Sequence, residues 1–414
     1  MASMSLRFSP NISSLTNGGN LWRSKHSNKI FSYGSYFATK TSMYQRKNEI
    51  EYNLSKLQQP ILKNQFKSVE GVSTNEENKK KYIPKAISEE SSGSEESIAS
   101  ETKDIVGSVK RFLVALYWFV YPYTMFGRTL STICASLIAV ERLSDISSPL
   151  FFIGVLQALL PFTLMDFYVN GVNQLYDYEI DKINKPFLPL PSGAFSFTTA
   201  VVITVSSAIM GFLASYIIGS WPLFWGLLSY FLIWSGYSIK GPFLRWKKNP
   251  LLAATCIYTN LALIYSISFF YHMKTFVLKR AVVSPKPLMF FVAFMSIYSL
   301  GIALFKDIPD IEGDKAYGIQ SFATSLGQKK VFWICVSIFE SAFGVAILAG
   351  LSSSLLWVKL VMGLGNAVLA SILWNKAKFV DLSDKASIRS YYMLIWKLLY
   401  VAYLLIPLIR FSYV

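Results

Sequence analysis

From Phe112 to Val414 the chain alternates long apolar runs with short polar breaks, and those 303 residues hold only 23 Lys/Arg and 13 Asp/Glu. A soluble domain usually carries about 25% charged residues, whereas this chain has 15%, with 53% hydrophobic residues. So little charge cannot clothe a water-facing globule, and the apolar runs belong in hydrocarbon. They fall at 112–139, 150–171, 198–218, 222–239, 251–271, 288–306, 331–350, 355–374 and 391–411. Each is near the roughly 17–25 residues that a tilted helix needs to cross a bilayer. The expected fold is therefore all-α, a polytopic bundle of nine transmembrane helices. Pro122 sets off an interfacial, kinked piece at the start of the first run, and Gly219-Ser220 separates the third from the fourth.

Nine crossings put the termini on opposite sides, and loops after even-numbered spans share the side of the N-terminus. Sixteen Lys/Arg fall on that side, counting Lys110 and Arg111, against six on the other (Arg142, Lys274, Lys279, Arg280, Lys286 and Arg410). The N-terminal face is then the positive one, facing the stroma if the organelle is a plastid. The net charge of +16 does not point to nucleic acid, because the basic residues sit in loops between apolar spans. Cys134, Cys256 and Cys335 lie far apart in apolar runs, and His26 and His272 form no pair. Disulfide scaffolds, zinc centres and Ser-His-Asp chemistry are all unsupported.

Two segments precede the spans. Residues 1–48 hold seven Lys/Arg, ten Ser and no acidic residue, and they have no long apolar h-region. That pattern describes an organellar transit peptide rather than a secretory signal. Only three of its basic residues are Arg, which favours the plastid over the mitochondrion. Residues 49–105 are polar, end in an acidic Ser-rich run, and offer little apolar area to offset ordering entropy. A disordered spacer is expected there, followed by a membrane domain over 106–414.

Of the 13 acidic residues after Phe112, seven lie in NQLYDYEID (173–181) and KDIPDIEGD (306–314), at the ends of spans 2 and 6. Asn173, Asp177 and Asp181 recur every four residues and line one helical face, a stripe that Asp166 and Asn170 extend back into the span. Asp310 and Asp314 repeat the spacing, with Asp307 one turn earlier. Mg²⁺ prefers oxygen ligands and engages one or two carboxylates together with substrate phosphates. Two such stripes facing each other across one membrane face would hold metal and diphosphate between them. Acids that merely decorate a solvated loop would not gather twice on one side of an acid-poor chain, and ionisable groups at membrane depth mark function. A cation carrier fits less well: the acids sit at helix ends, and nine spans do not divide into two repeats. A purely structural scaffold would have no use for the two clusters.

Asn173–Asp181 resembles the first Asp-rich motif of the UbiA superfamily of intramembrane prenyltransferases, and Asp307–Asp314 resembles the second. DKINKPFLPLPSG (181–193) and GDKAYGIQSFATSLGQ (313–328) are similar to the plant plastid branch of homogentisate, flavonoid and isoflavonoid prenyltransferases. The likeness covers roughly 105–414. It implies that Asn173, Asp177 and Asp181 hold one Mg²⁺–diphosphate unit, and that Asp310 and Asp314, with Asp307 alongside, hold the second. Lys185, Lys240, Arg245 and Lys247 would contact diphosphate oxygens. The chain departs from the family pattern at Tyr121-Pro122, where many relatives carry Arg-Pro, and at Asp166, where a neutral polar residue is usual; Arg128 offers a charge two turns on. An allylic cation leaving its diphosphate can be steadied by aromatic faces, with Tyr168, Tyr176, Tyr237 and Phe305 as candidates. The resemblance favours dimethylallyl diphosphate as donor and a flavonoid or isoflavonoid as phenolic acceptor. Homogentisate with a phytyl or geranylgeranyl donor is the alternative, and coumarin, stilbene and acylphloroglucinol acceptors stay open.

Overall fold

The computed structural model describes the backbone of residues 93–413 apart from residue 284, and side chains from 106 to 410. The leader and most of the spacer lie outside the described residues. The first helix, α1 (Gly93–Phe119), begins inside the acidic Ser-rich run. Every regular element among the described residues is helical.

Among the described residues, seven helical segments are long and apolar enough to cross a membrane. They are α3 (Pro149–Asn184), α4 (Phe197–Ile218), α6 (Pro250–Val277), α7 (Lys286–Phe305), α8 (Gln328–Leu351), α9 (Leu356–Ala377) and α10 (Lys385–Arg410). Two further helices coincide with expected crossings, α2 (Pro122–Ala139) and α5 (Trp221–Ser238). Each has 18 residues. Hydroxyls and Arg128 make α2 less apolar, and Trp, Tyr and Ser do the same for α5.

Local chemistry sets the boundaries. The chain breaks at Tyr121, held at φ 49, and Pro122 restarts the helix as α2. Ser148 caps α3, its hydroxyl accepting from the amide of Leu150 with Pro149 behind it. Asn249 Oδ1 accepts from Leu251 and Leu252 at 2.9 and 3.1 Å to start α6. Gly219, at φ 74, closes α4 in the left-handed conformation. Helix α3 has 36 residues, about 54 Å at 1.5 Å per residue, longer than the ~30 Å hydrocarbon layer. The helix therefore continues well past residue 171, and its last turns carry the first acidic motif.

The bundle packs α3 on α4 and α5, α7 on α8, and α8 on α9. Large side chains such as Phe162, Phe294, Tyr298, Phe339 and Phe343 fill the interior. The outer faces of α4 and α9 expose Val202, Ile209, Leu213, Leu360, Leu364 and Val368, as helices bathed in lipid do. At the end of the bundle remote from the acidic motifs, Lys274 pairs with Glu141, Arg280 donates to Asp145 at 2.9 Å, and Arg410 donates to the Glu141 carbonyl at 2.9 Å.

Candidate active site

Helix α3 delivers Asn173, Asp177 and Asp181 to a cavity of about 400 Å³, and the turn after α7 delivers Asp307, Asp310 and Asp314 to the same space. The motifs touch. Asn184 Oδ1 accepts from the amide of Gly313 at 3.1 Å, and Lys185 lies 2.8 Å from Asp310 and 3.8 Å from Asp181. A Cβ on Gly313 would sit 2.5 Å from the Asn184 amide, so only glycine lets the short helix Ile311–Ala316 approach this closely.

Basic side chains surround the acids. Arg245 donates to Asp177 at 2.7 Å and to the Ser238 carbonyl at 2.6 Å, while Lys247 pairs with the other Asp177 oxygen. Arg245 sits at φ 66 and Phe243 at φ 61, left-handed backbone that non-glycine residues seldom adopt. Strain of this kind collects at functional sites. Asn173 donates to Asp177 at 2.9 Å. Lys306 pairs with Asp307 and lies over the Tyr237 ring at 5.8 Å. Burial, reinforced by Asp307 and Asp310, pushes the Asp314 carboxyl up to about 7. Burial pushes the Lys247 ammonium down despite the attraction of Asp177.

Among the described residues no three His, Cys, Asp or Glu side chains converge tightly enough to hold an ion unaided. Mg²⁺ takes few protein ligands and fills its octahedron with water and phosphate oxygens. Asp181 is buried, and its Oδ2 has no hydrogen-bond partner. An unpaired carboxylate oxygen beside a cavity that five further Asp side chains line fits a divalent cation.

Several expected residues fall elsewhere. Lys240 is exposed and outside the cavity lining. The Tyr168 hydroxyl bonds Ser235 at 2.7 Å and its ring stacks on Phe231, away from the cavity. Tyr176 is half-buried and does not line the space, and Phe305 is fully buried behind Tyr392, its ring centroid 5.6 Å away. Of the four aromatic candidates only Tyr237 reaches the cavity, and Arg245 acts through Asp177 rather than at the lining. Tyr121, Tyr123, Trp234, Lys306, Arg389 and Tyr392 line it as well. Lys306 was legible as the residue beside Asp307. Arg389, which donates to the Asn184 carbonyl from 205 positions away, had no local signal.

Two acidic segments thus converge on one cavity at one end of a bundle of membrane-length helices, and residues 129–398 of the chain match the UbiA prenyltransferase family, a family of membrane prenyltransferases. The chain belongs to that family and is a prenyltransferase of its plant aromatic branch. It is 54% identical to a glycinol 4-dimethylallyltransferase of Glycine max, over 97% of this chain and 98% of the relative. It is 47% identical to the chloroplastic naringenin 8-dimethylallyltransferase 2 of Sophora flavescens, over 97% and 98% respectively. Against the chloroplastic homogentisate phytyltransferase 1 of Arabidopsis thaliana identity is 50%, over 73% of this chain and 77% of the relative.

Proposed function

We propose that this enzyme transfers a dimethylallyl group from its diphosphate to a ring carbon of a flavonoid or isoflavonoid, with Mg²⁺ as cofactor. The observation that carries the reading is Lys185 bridging Asp181 and Asp310, which joins the two acidic motifs around one cavity. The two dimethylallyltransferase relatives align over nearly the whole chain, whereas the homogentisate relative aligns over about three quarters of it. That favours the phenolic acceptors of the former.

Asn173, Asp177, Asp181, Asp307, Asp310 and Asp314 are the residues that would hold metal and diphosphate. Bound Mg²⁺ would neutralise charge on the diphosphate as it departs. The allylic C–O bond breaks with its electron pair leaving on the diphosphate. Lys185, Lys247 and Lys306 stand beside the acids and can turn their ammonium groups to the phosphate oxygens. Tyr237 presents an aromatic face beside the same mouth, suited to an allylic cation. A ring carbon of the phenol supplies the π pair for the new C–C bond, and the proton on that carbon is then lost. The apolar walls keep water from the cation.

The chemistry would be carried out by a nine-crossing protein of a plastid membrane, with 1–48 as transit peptide, 49–105 as spacer and the acidic face toward the stroma. Helices α2 and α5 complete the nine. Ser220, just before α5, bonds His272 at 2.9 Å, whose other ring nitrogen meets the Gly154 carbonyl near the start of α3. At the other end Ser238 lies against Asn173. α5 thus runs alongside α3 over 18 residues, about 27 Å and close to the hydrocarbon thickness.

The test is a membrane assay with Mg²⁺, dimethylallyl diphosphate and a panel of flavonoids, isoflavonoids and homogentisate. A flavonoid or isoflavonoid should be prenylated, EDTA should silence the reaction, and Asp177→Ala and Asp310→Ala should each abolish it at parental expression. Near-parental turnover by either variant would overturn the metal assignment, and exclusive use of homogentisate would overturn the acceptor.

A further inference from the structure

The cavity does not end at the acids. It runs down α3 from Asp181 and Asp177 to Asp166, which is 11 residues and about 16 Å deeper. A dimethylallyl group is far shorter than that, so something else must fill the deep end. The walls there are polar in an unusual way. Asp166 is already satisfied, receiving Arg128 at 2.7 Å and the Tyr230 hydroxyl at 2.8 Å. Asn260 is 3% exposed and lines the cavity, yet its Oδ1 has no hydrogen-bond partner. The Trp234 Nε1, also on the cavity wall, has none either. Tyr230 packs edge-on against Trp234 at 6.4 Å and against Tyr265 at 5.7 Å, so the wall here is aromatic. Asn260 belongs to a π-helical turn, Thr259–Ile264, inside α6. Such turns are rare and gather at functional sites.

Buried polar groups are normally paired. Asn260 and Trp234 both line the cavity, and an unpaired acceptor oxygen on one with an unpaired N–H on the other is complementary to a hydroxyl, which donates to the first and accepts from the second. An isoprenoid tail would bury both against hydrocarbon and satisfy neither. We propose that this deep end is the acceptor subsite, in which Asn260 and Trp234 bind the hydroxyl on the ring of a polyphenol remote from the ring that is prenylated. The assignment rests on the acceptor being a flavonoid or isoflavonoid. It adds a reason for a short donor: the depth that a phytyl chain would need is given to the acceptor.

The experiment compares a flavanone carrying a hydroxyl on its pendant ring with the same flavanone lacking it, for the parent enzyme, Asn260→Leu and Trp234→Phe. Asn260→Leu should raise the KM for the hydroxylated flavanone about tenfold, the scale of one lost buried hydrogen bond. It should leave the KM for the dehydroxy analogue and for dimethylallyl diphosphate unchanged. Trp234→Phe, which keeps an aromatic ring but removes the N–H together with part of the indole, should show the same selectivity at smaller size. If both variants treat the two flavanones alike while the parent is active, the subsite assignment is wrong and the proposed function stands. If the parent prenylates no flavonoid or isoflavonoid, the proposed function falls and takes this inference with it.

Discussion

Arg128 and Asp166 set a full pair of charges 2.7 Å apart inside the bundle, both almost completely buried. Arg128 also donates to Thr163 at 2.8 Å, and Tyr230 completes the Asp166 carboxylate. Desolvating two ions is repaid only while both remain, and here the margin is narrow, because Arg128 Nη1 is buried without a hydrogen-bond partner. Arg128→Met should therefore destabilise the protein by about 3–5 kcal/mol, because it strands a buried carboxylate. Arg128→Met combined with Asp166→Asn removes both charges, keeps an acceptor for Tyr230, and should recover most of the loss. Thermal unfolding of the detergent-solubilised protein measures this. Equal losses in single and double variants would show that Arg128 acts by packing rather than by charge. Asp166 is answered by a base on the neighbouring helix α2, a relation that a separation of 38 residues conceals in the sequence.

At the scale of elements, the site depends on how closely the short helix Ile311–Ala316 docks on the end of α3. Gly313→Ala places a methyl group 2.5 Å from the buried Asn184 amide, whose backbone carbonyl Arg389 also holds. The second acidic motif must shift, and displacements of about 1 Å can cost some 10²-fold in rate. Gly313→Ala should lower kcat/KM by that order, whereas Gly344→Ala, where a Cβ meets nothing within 4 Å, should be silent. Parental rates for Gly313→Ala in the membrane assay would mean that the motifs tolerate separation. The same elements show which parts of the site could be read from the sequence. Asn173, Asp177 and Asp181 were legible because helical spacing puts them on one face. Tyr168 lies two residues, about 200°, from Asp166, and Tyr176 about 100° from Asp177, so proximity in sequence placed them on the wrong faces. Lys240 failed for another reason. The left-handed residues Phe243 and Arg245 fold the loop inward at Arg245 and Lys247 and leave Lys240 outside, and no periodicity reports a turn of that kind. The long apolar helices were readable, but the start of α1 at Gly93, inside a segment read as spacer, was not. The end of α3 was not readable either, since its last turns are polar where they serve the site.

Over the whole molecule, two charged ends are separated by an apolar waist. Asp177, Asp310 and the basic side chains around them occupy one end, and Glu141, Asp145, Lys274 and Arg280 the other. Loops 185–196, 239–249 and 306–327 meet at the first end, the arrangement that alternating crossings require and that the excess of Lys/Arg there orients. The three native cysteines are buried, so an introduced thiol can report sidedness against a quiet background. Lys248→Cys and Val283→Cys replace exposed residues on loops at opposite ends. In sealed, uniformly oriented vesicles an impermeant maleimide should label only one of the two until detergent is added. Vesicles in which Lys248→Cys reacts from outside should also use externally added dimethylallyl diphosphate, because the diphosphate mouth opens on that face. Vesicles in which Val283→Cys reacts should be latent until lysed, since the charged donor cannot cross the waist. Labelling of both thiols from one side would remove one crossing between them. The parity that brings the acidic motifs to a single membrane face would then have to arise some other way.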